Sequence, residues 1–220
     1  MDRPSDSLAG LTLSEFSERL ASAEPVPGGG SGSAICGSFA GSLLAMVARL
    51  SVDRPKYAPY QKTHSRALAT GERGRTVLLE LAETDARAYA GFAAARKMPK
   101  ETEAEQGARD EATRVAARAS TEVPLSVVGE CVLLLEDVTA MAGRSNLNAA
   151  SDLEVAARLA TAAARGAAAN VYINLPMVGD EEYAATTTAT IEGLLNRIER
   201  NAAQVSEIVG GGGLREPEAE

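Results

Sequence analysis

The longest uninterrupted helical pattern in the chain runs from about residue 61 to residue 97 and stops at Met98-Pro99. It stops there because proline disfavours helical geometry in the residue before it. Hydrophobic residues make up 45% of the sequence but aromatic residues only 4%, and tryptophan is absent. The core is therefore filled mainly by Ala, Leu and Val, which suits helices that pack closely. The sequence predicts an all-α bundle of long, Ala- and Gly-rich helices.

Cap signals and prolines divide the rest of the chain into further helices. Capping boxes at Thr12 and Thr102 begin two of them, and Asp180 begins the last. We expect Pro124 to kink or restart the helix that Thr102 opens, and Pro176 to end another. At 220 residues the chain fits one domain, residues 1–209, followed by a disordered tail, residues 210–220, "GGGGLREPEAE". Two more helices are predicted to begin near Ser33 and Ser151.

Composition excludes several classes of function. The net charge of -8 argues against nucleic acid as a partner, because binding phosphates needs a basic surface. Cys36 and Cys131 lack the spacing of a zinc site or a disulfide framework, and we interpret both as small core residues. His64, the sole histidine, is expected to be an ordinary surface residue, which leaves nucleophilic and metal mechanisms with little support. The first residues contain no apolar signal segment, so we expect a soluble, cytoplasmic protein with no membrane partner.

The stretch Pro25–Ser33, "PVPGGGSGS", separates two predicted helices. Free backbone N–H groups at the start of the second helix favour an anion or a carbonyl group. No lysine follows the glycines, so this is not a Walker motif, and Ser33 stands where a dinucleotide fingerprint requires its third glycine. From the pattern alone, a linker and a binding site remain equally open.

Two further positions carry candidate chemistry. Asp85 lies in the middle of a predicted helix among apolar residues. If it faces inward, its pKa would be raised and it would be a candidate acid or base. If it faces outward, which the sequence slightly favours, it is a solvated charge. A turn between helices contains Asn146, Asn148, Ser151 and Asp152, which serve equally well as helix caps or as hydrogen-bonding groups for a flat polar ring.

Six segments, taken in order, resemble the cyclodeaminase/cyclohydrolase family, known as the C-terminal domain of formiminotransferase-cyclodeaminase and as stand-alone bacterial folate enzymes. The resemblance extends from about Leu11 to Ile208. The segments are "PVPGGGSGSA" from Pro25, "KY" from Lys56, "DARAYAGFAAARKMPKETEAE" from Asp85, "ASTEVPL" from Ala119, "NLNAASD" from Asn146 and "GAAANVYINL" from Gly166.

The resemblance implies an all-helical homodimer that binds folate between helices and near the dimer interface. It implies cyclisation of 5-formiminotetrahydrofolate to 5,10-methenyltetrahydrofolate with loss of ammonia. An alternative is hydrolysis of the methenyl compound to 10-formyltetrahydrofolate, and a second alternative is a non-catalytic helical scaffold or folate-binding module. No metal or organic cofactor is expected, since the tetrahydrofolate derivative is the substrate.

Site residues follow from the same resemblance, combined with the chemistry of a tetrahedral carbon held between N5 and N10 of the folate. Asp85 and Asp152 are the expected acid/base or cation-stabilising carboxylates, and Lys56 an acid or a clamp on the folate glutamate. Two departures bear on these roles: Asp53-Arg54-Pro55 replaces a glycine-lysine run, and Ser145 replaces a glycine before the Asn turn. The residues expected to bind substrate are Gly28, Gly29, Gly30, Ser31, Tyr57, Asn146, Asn148 and Ser151.

Overall fold

The computed structural model describes residues 7–218, so the predictions for residues 1–6, 219 and 220 lie outside it. Within that range the secondary structure is helical, as predicted from the small-residue core. The α-helices are α1 (Leu13–Leu20), α2 (Gly29–Ser51), α3 (Gln61–Arg96), α4 (Glu103–Met141), α5 (Ala150–Val178) and α6 (Glu181–Gly211).

Three of the predicted helix starts are confirmed by their caps. The Thr12 and Thr102 side chains each accept a hydrogen bond from the backbone N–H three residues on, completing capping boxes with Glu15 and Glu105. Asp180 caps α6 by accepting from the Tyr183 N–H at 2.9 Å. Such side-chain oxygens satisfy N–H groups that have no partner inside the helix.

The two internal prolines do not interrupt their helices. α4 continues through Pro124, so it is one helix of 39 residues rather than two, and α5 continues through Pro176 to Val178. Pro124 has no N–H for the Ser120 carbonyl one turn earlier. The Asn174 side chain of α5 donates to that carbonyl instead, at 2.8 Å. A neighbouring helix thus supplies the missing donor, which a sequence read one segment at a time does not reveal.

α2 packs against α3, α4 and α5. Its crossing with α3 is very close: a Cβ on Gly41 would lie 2.9 Å from the Arg75 nitrogen, and one on Gly71 would lie 2.7 Å from the Gly41 carbonyl oxygen. Small residues recur every four positions of α2, at Ser33, Gly37 and Gly41, and the lack of a side chain at Gly41 permits this contact. These contacts fix how α3 lies along α2, and therefore which α3 side chains reach the start of α2.

His64 and the residues after α6 differ from what the sequence predicts. His64 is fully buried rather than on the surface, and its Nε2 lies 2.7 Å from the Arg144 carbonyl oxygen. α6 extends to Gly211, and the following residues return to the bundle instead of leaving it as a disordered tail. The Arg215 N–H donates to the Gly143 carbonyl at 2.7 Å, and the Glu218 carboxylate accepts from Arg66 at 2.9 Å. This polar segment has little apolar surface to bury, so hydrogen bonds from its backbone and its charged side chains hold it in place.

Candidate functional site

The glycine stretch forms the first turn of α2 rather than a loop before it. Gly28 is the N-cap residue, and Gly29 and Gly30 are already helical. Glycine is tolerated there because the first-turn N–H groups make no intrahelical hydrogen bonds. The N-cap residue has no side chain to accept from them, so the start of α2 presents backbone N–H groups and the positive end of its dipole to its surroundings.

Asp85 of α3 lies directly against this first turn. Its Oδ2 accepts a hydrogen bond from the Ser31 hydroxyl at 2.9 Å. Burial raises the pKa of the Asp85 carboxyl, while hydrogen bonds from the Ser31 hydroxyl and backbone N–H act in the opposite direction. The slight preference of the sequence for an outward, solvated Asp85 is therefore wrong. A partly desolvated carboxyl with a raised pKa is suited to acid–base chemistry.

Gly30 makes this contact possible. A Cβ at Gly30 would lie 2.6 Å from Asp85 Cγ and 2.7 Å from Oδ2, distances at which the Asp85 carboxyl would have to move. By contrast, a Cβ at Gly29 would lie 3.6 Å from Asn170 Nδ2, an ordinary contact. The sequence does not distinguish the three glycines from one another. In the structure, Gly30 is the one whose lack of a side chain leaves room for the Asp85 carboxyl.

A cleft of about 300 Å³ opens beside Asp85. Its wall is the segment before α2 together with the first turn of α2, and α3, α4 and α5 complete it. Most of the lining is apolar, with a small number of polar groups, as is common in sites for organic ligands. The lining residues are Pro25, Val26, Gly28, Gly29, Gly30, Asp85, Tyr89, Phe92, Ser120, Asn170, Ile173, Asn174 and Met177.

The remaining predicted site residues lie at the opposite end of α2. The Asn146 N–H donates to the hydroxyl of Ser51, the last residue of α2, at 2.9 Å. Ser31 and Ser51 are separated by 20 residues of one helix, which is about 30 Å along its axis. Asp152 lies in the first turn of α5, about 27 Å along that helix from Asn170 in the cleft. One chain therefore does not bring Asp152 and the Asn turn to Asp85.

At that far end the predicted groups mostly hold the turn together. Asn146 Oδ1 accepts from the Asn148 N–H at 3.2 Å, and the buried Tyr57 hydroxyl accepts from the Leu147 N–H at 3.3 Å. Lys56 is exposed, with its ammonium 5.5 Å from the centre of the Tyr57 ring. Asn148 and Ser151 are exposed as well. We refer to Lys56, Tyr57, Asn146, Asn148, Ser151 and Asp152 as the distal cluster.

Comparison with known proteins agrees with the fold and with the resemblance. The profile of the family described as formiminotransferase-cyclodeaminase matches residues 12–193. The chain belongs to this family. It is 33% identical over 184 residues to a methenyltetrahydrofolate cyclohydrolase from Methylorubrum extorquens, a match that covers 84% of this chain and 88% of that protein.

Two further relatives are named as cyclodeaminases. A formimidoyltransferase-cyclodeaminase from Rattus norvegicus is 30% identical over 202 residues, which is 92% of this chain but only 37% of that protein. The crystal structure of a formiminotetrahydrofolate cyclodeaminase from Thermotoga maritima superposes with a TM-score of 0.84 at 27% identity, covering 93% of this chain and 98% of that one.

Several cleft residues were absent from the sequence-based site. Asn170 and Asn174 are one helical turn apart on the Ala-rich α5, so they share a face, and this spacing was a usable signal. Tyr89 and Phe92 follow Asp85 at positions i+4 and i+7 of α3, again on one face. Ser120 had no comparable signal, because it reaches the cleft only through the packing of α4 on α5.

Proposed function

We propose that this member of the formiminotransferase-cyclodeaminase family is a 5-formiminotetrahydrofolate cyclodeaminase, with Asp85 as its acid–base group. The observation that supports this most is the position of Asp85: a partly buried carboxyl at the start of α2, in the wall of the cleft. A scaffold needs no such group, so this geometry argues against the non-catalytic alternative. The substrate class is that of the named relatives.

The proposed reaction is two proton transfers at one carboxyl. N10 attacks the carbon of the protonated formimino group, and as the N10–C bond forms, the N10 proton passes to the Asp85 carboxylate. The carbon is then tetrahedral and bears N5, N10 and an amino group. Asp85 returns the proton to the amino group, the C–N bond breaks, and ammonia leaves the methenyl cation. Asp85 ends as a carboxylate, which stabilises the cation, and no metal or prosthetic group enters the reaction.

The second candidate is hydrolysis of 5,10-methenyltetrahydrofolate, which the Methylorubrum extorquens relative favours because it matches this chain over most of both lengths. Water adds to the methenyl carbon and gives a proton to Asp85. Asp85 then returns this proton to N5 as the N5–C bond breaks, and the hydroxyl loses its own proton to solvent as it becomes a carbonyl, which leaves 10-formyltetrahydrofolate and an ionised Asp85. The same carboxyl serves both reactions.

Supplying the two folates separately distinguishes the two reactions. We expect ammonia release and the appearance of methenyl absorbance from 5-formiminotetrahydrofolate. Faster loss of methenyl absorbance from 5,10-methenyltetrahydrofolate, without ammonia release from the formimino compound, would favour the cyclohydrolase. Turnover of neither compound by folded protein would contradict both assignments.

We propose further that the protein is a homodimer in which two α2 helices pack against each other. α2 is apolar on all sides: by length and composition it resembles a membrane span, yet half of that apolar segment is buried inside the bundle. An all-round apolar helix is normally covered on every face. Five apolar residues of its outer face, which we call the α2 stripe, recur every three or four positions. Phe39, Met46 and Leu50 are exposed, and Ile35 and Leu43 are partly buried.

A two-fold axis gives the distal cluster a role. The α2 stripe extends along nearly the whole helix, and a closed two-fold contact is made by the same surface of both chains. If the two α2 helices are antiparallel, the end of one that carries the distal cluster lies beside the Asp85 end of the other. Asp152 and Lys56 of one chain would then complete the cleft of its partner, with Asp152 as a second carboxylate and Lys56 as an acid or as a clamp on the folate glutamate.

Replacing Phe39 by Arg is expected to give a folded monomer with little activity, because a charge at the centre of the α2 stripe opposes burial. Light scattering after size-exclusion chromatography measures the mass. Val115→Arg is the matched control, since Val115 is 62% exposed on α4, away from the α2 stripe, and should leave the dimer intact. A wild-type monomer, or association only with lipid vesicles, would contradict the dimer.

Mixing two inactive variants tests the shared cleft directly. Refolding Asp85→Asn together with Asp152→Asn should restore about a quarter of wild-type activity, since half of the dimers are mixed and each contains one intact cleft. No recovery, or full activity of Asp152→Asn alone, would contradict the role proposed for the distal cluster.

A further inference from the structure

Ser31 was expected among the substrate-binding residues, but it is completely buried. Its side chain therefore reaches protein groups only. The Ser31 Oγ lies 2.9 Å from Asp85 Oδ2 and 3.1 Å from the backbone carbonyl oxygen of Ala82, one turn earlier on α3. A hydroxyl has one hydrogen and two lone pairs, so it donates to one of these oxygens at a time and remains able to accept.

The two distances fit two hydrogen-bonding arrangements of the same atoms. When Asp85 is ionised, the Ser31 hydroxyl donates to the carboxylate. When Asp85 is protonated, the carboxyl O–H donates to Ser31 Oγ, and the serine hydrogen turns toward the Ala82 carbonyl. Both bonds lie within normal hydrogen-bond length, so only hydrogens need to rotate.

We propose that Ser31 is a positioning residue that gives Asp85 a hydrogen-bond partner in both protonation states, so that the carboxyl gains and loses a proton without moving. The inference rests on the proposed acid–base role of Asp85. It adds a reason for the buried serine next to Gly30, because a reacting carboxyl must stay fixed throughout the reaction. Ser31 acts through Asp85 and does not touch the substrate.

The surroundings of Asp85 leave its protonation mainly to burial and to Ser31. No ion pair with Asp85 occurs among residues 7–218, and its pKa is raised by burial and lowered by the Ser31 hydroxyl and backbone N–H alone. The other titratable side chain in the lining is Tyr89, on the same helix. α2 contributes only Ser31 and glycines, and the polar groups that α4 and α5 contribute are neutral: Ser120, Asn170 and Asn174.

Ser31→Ala tests the inference. Removing the hydroxyl should raise the pKa of the Asp85 carboxyl, because the hydrogen bond to the ionised carboxylate is charge-assisted and therefore stronger than the one that the protonated carboxyl donates to Ser31 Oγ. Carboxyl ¹³C NMR of aspartate-labelled protein, assigned with Asp85→Asn, measures this pKa without relying on turnover. The acid limb of kcat/KM should move to higher pH by the same amount, since the base works only when ionised. The matched control is Ser38→Ala, a buried serine of α2 that donates to the Ile35 carbonyl at 2.8 Å.

An Asp85 pKa unchanged in folded Ser31→Ala would overturn the inference, and so would an equal shift in Ser38→Ala. If Ser31→Ala does not fold, Ser31→Cys retains a weak donor and should give a smaller upward shift; no shift there would also overturn it. Full turnover by Asp85→Asn would instead contradict the proposed function, whatever the titration of Ser31→Ala shows.

Discussion

Asp85→Asn is expected to lower kcat/KM by about 10³-fold while the protein stays folded, because the amide neither accepts nor returns a proton and acid–base catalysis contributes a factor of this order. Asparagine has nearly the same shape, and its Oδ1 still accepts from the Ser31 hydroxyl. Burial raises the pKa of the Asp85 carboxyl, so the ionised carboxylate is destabilising in the folded state. The loss of activity should therefore not be accompanied by unfolding.

Steady-state rates and thermal unfolding, measured at one pH, check this expectation. Glu80→Gln is the matched control: it removes a carboxylate from an exposed position of the same helix and should leave kcat/KM within about twofold. If Asp85→Asn retained more than a tenth of wild-type activity on both folates, another group would have to move the proton.

Gly30→Ala is expected to lower activity by at least about 10²-fold, since a reacting group displaced by roughly 1 Å costs about this much. Its Cβ would lie 2.6 Å from Asp85 Cγ and must push the carboxyl away from its place beside Ser31. Alanine is the better helix former by about 1 kcal/mol, which partly offsets the strain on stability. The variant should therefore lose far more activity than stability.

Circular dichroism melting and kcat/KM together separate these two effects. Gly91→Ala, also in a helix but with no atom within 4 Å of the added Cβ, should keep full activity and unfold at a slightly higher temperature. Wild-type activity in Gly30→Ala would mean that the contact with Asp85 is not needed for turnover.

Much of the fold was accessible from the sequence because its signals are local. The capping boxes at Thr12 and Thr102, the Asp180 cap and the uninterrupted pattern of α3 each involve residues within a few positions of one another. The continuation of α4 through Pro124 has no such local signal, because Asn174, 50 positions later, donates to the carbonyl that proline leaves free.

The candidate site likewise has features with a local sequence signal and features without one. Leu78, Ala82 and Asp85 are spaced at i, i+4 and i+7, so they share a face of α3. The apolar character of the first two is a local signal that Asp85 faces inward, and both are buried in the structure. No short stretch of sequence shows that the distal cluster is far from Asp85, because that distance depends on their packing at opposite ends of α2.

The sequence alone therefore determined a family, a small-residue helical bundle, most helix starts and a glycine-rich wall for a site. Only the tertiary structure decided that Asp85, Gly30 and Ser31 meet, and that the distal cluster lies about 30 Å away along α2. The physical reason is that hydrogen bonds between residues 54 positions apart form only after α2 and α3 have packed. The Gly41–Gly71 contact sets that packing by allowing the two backbones to touch.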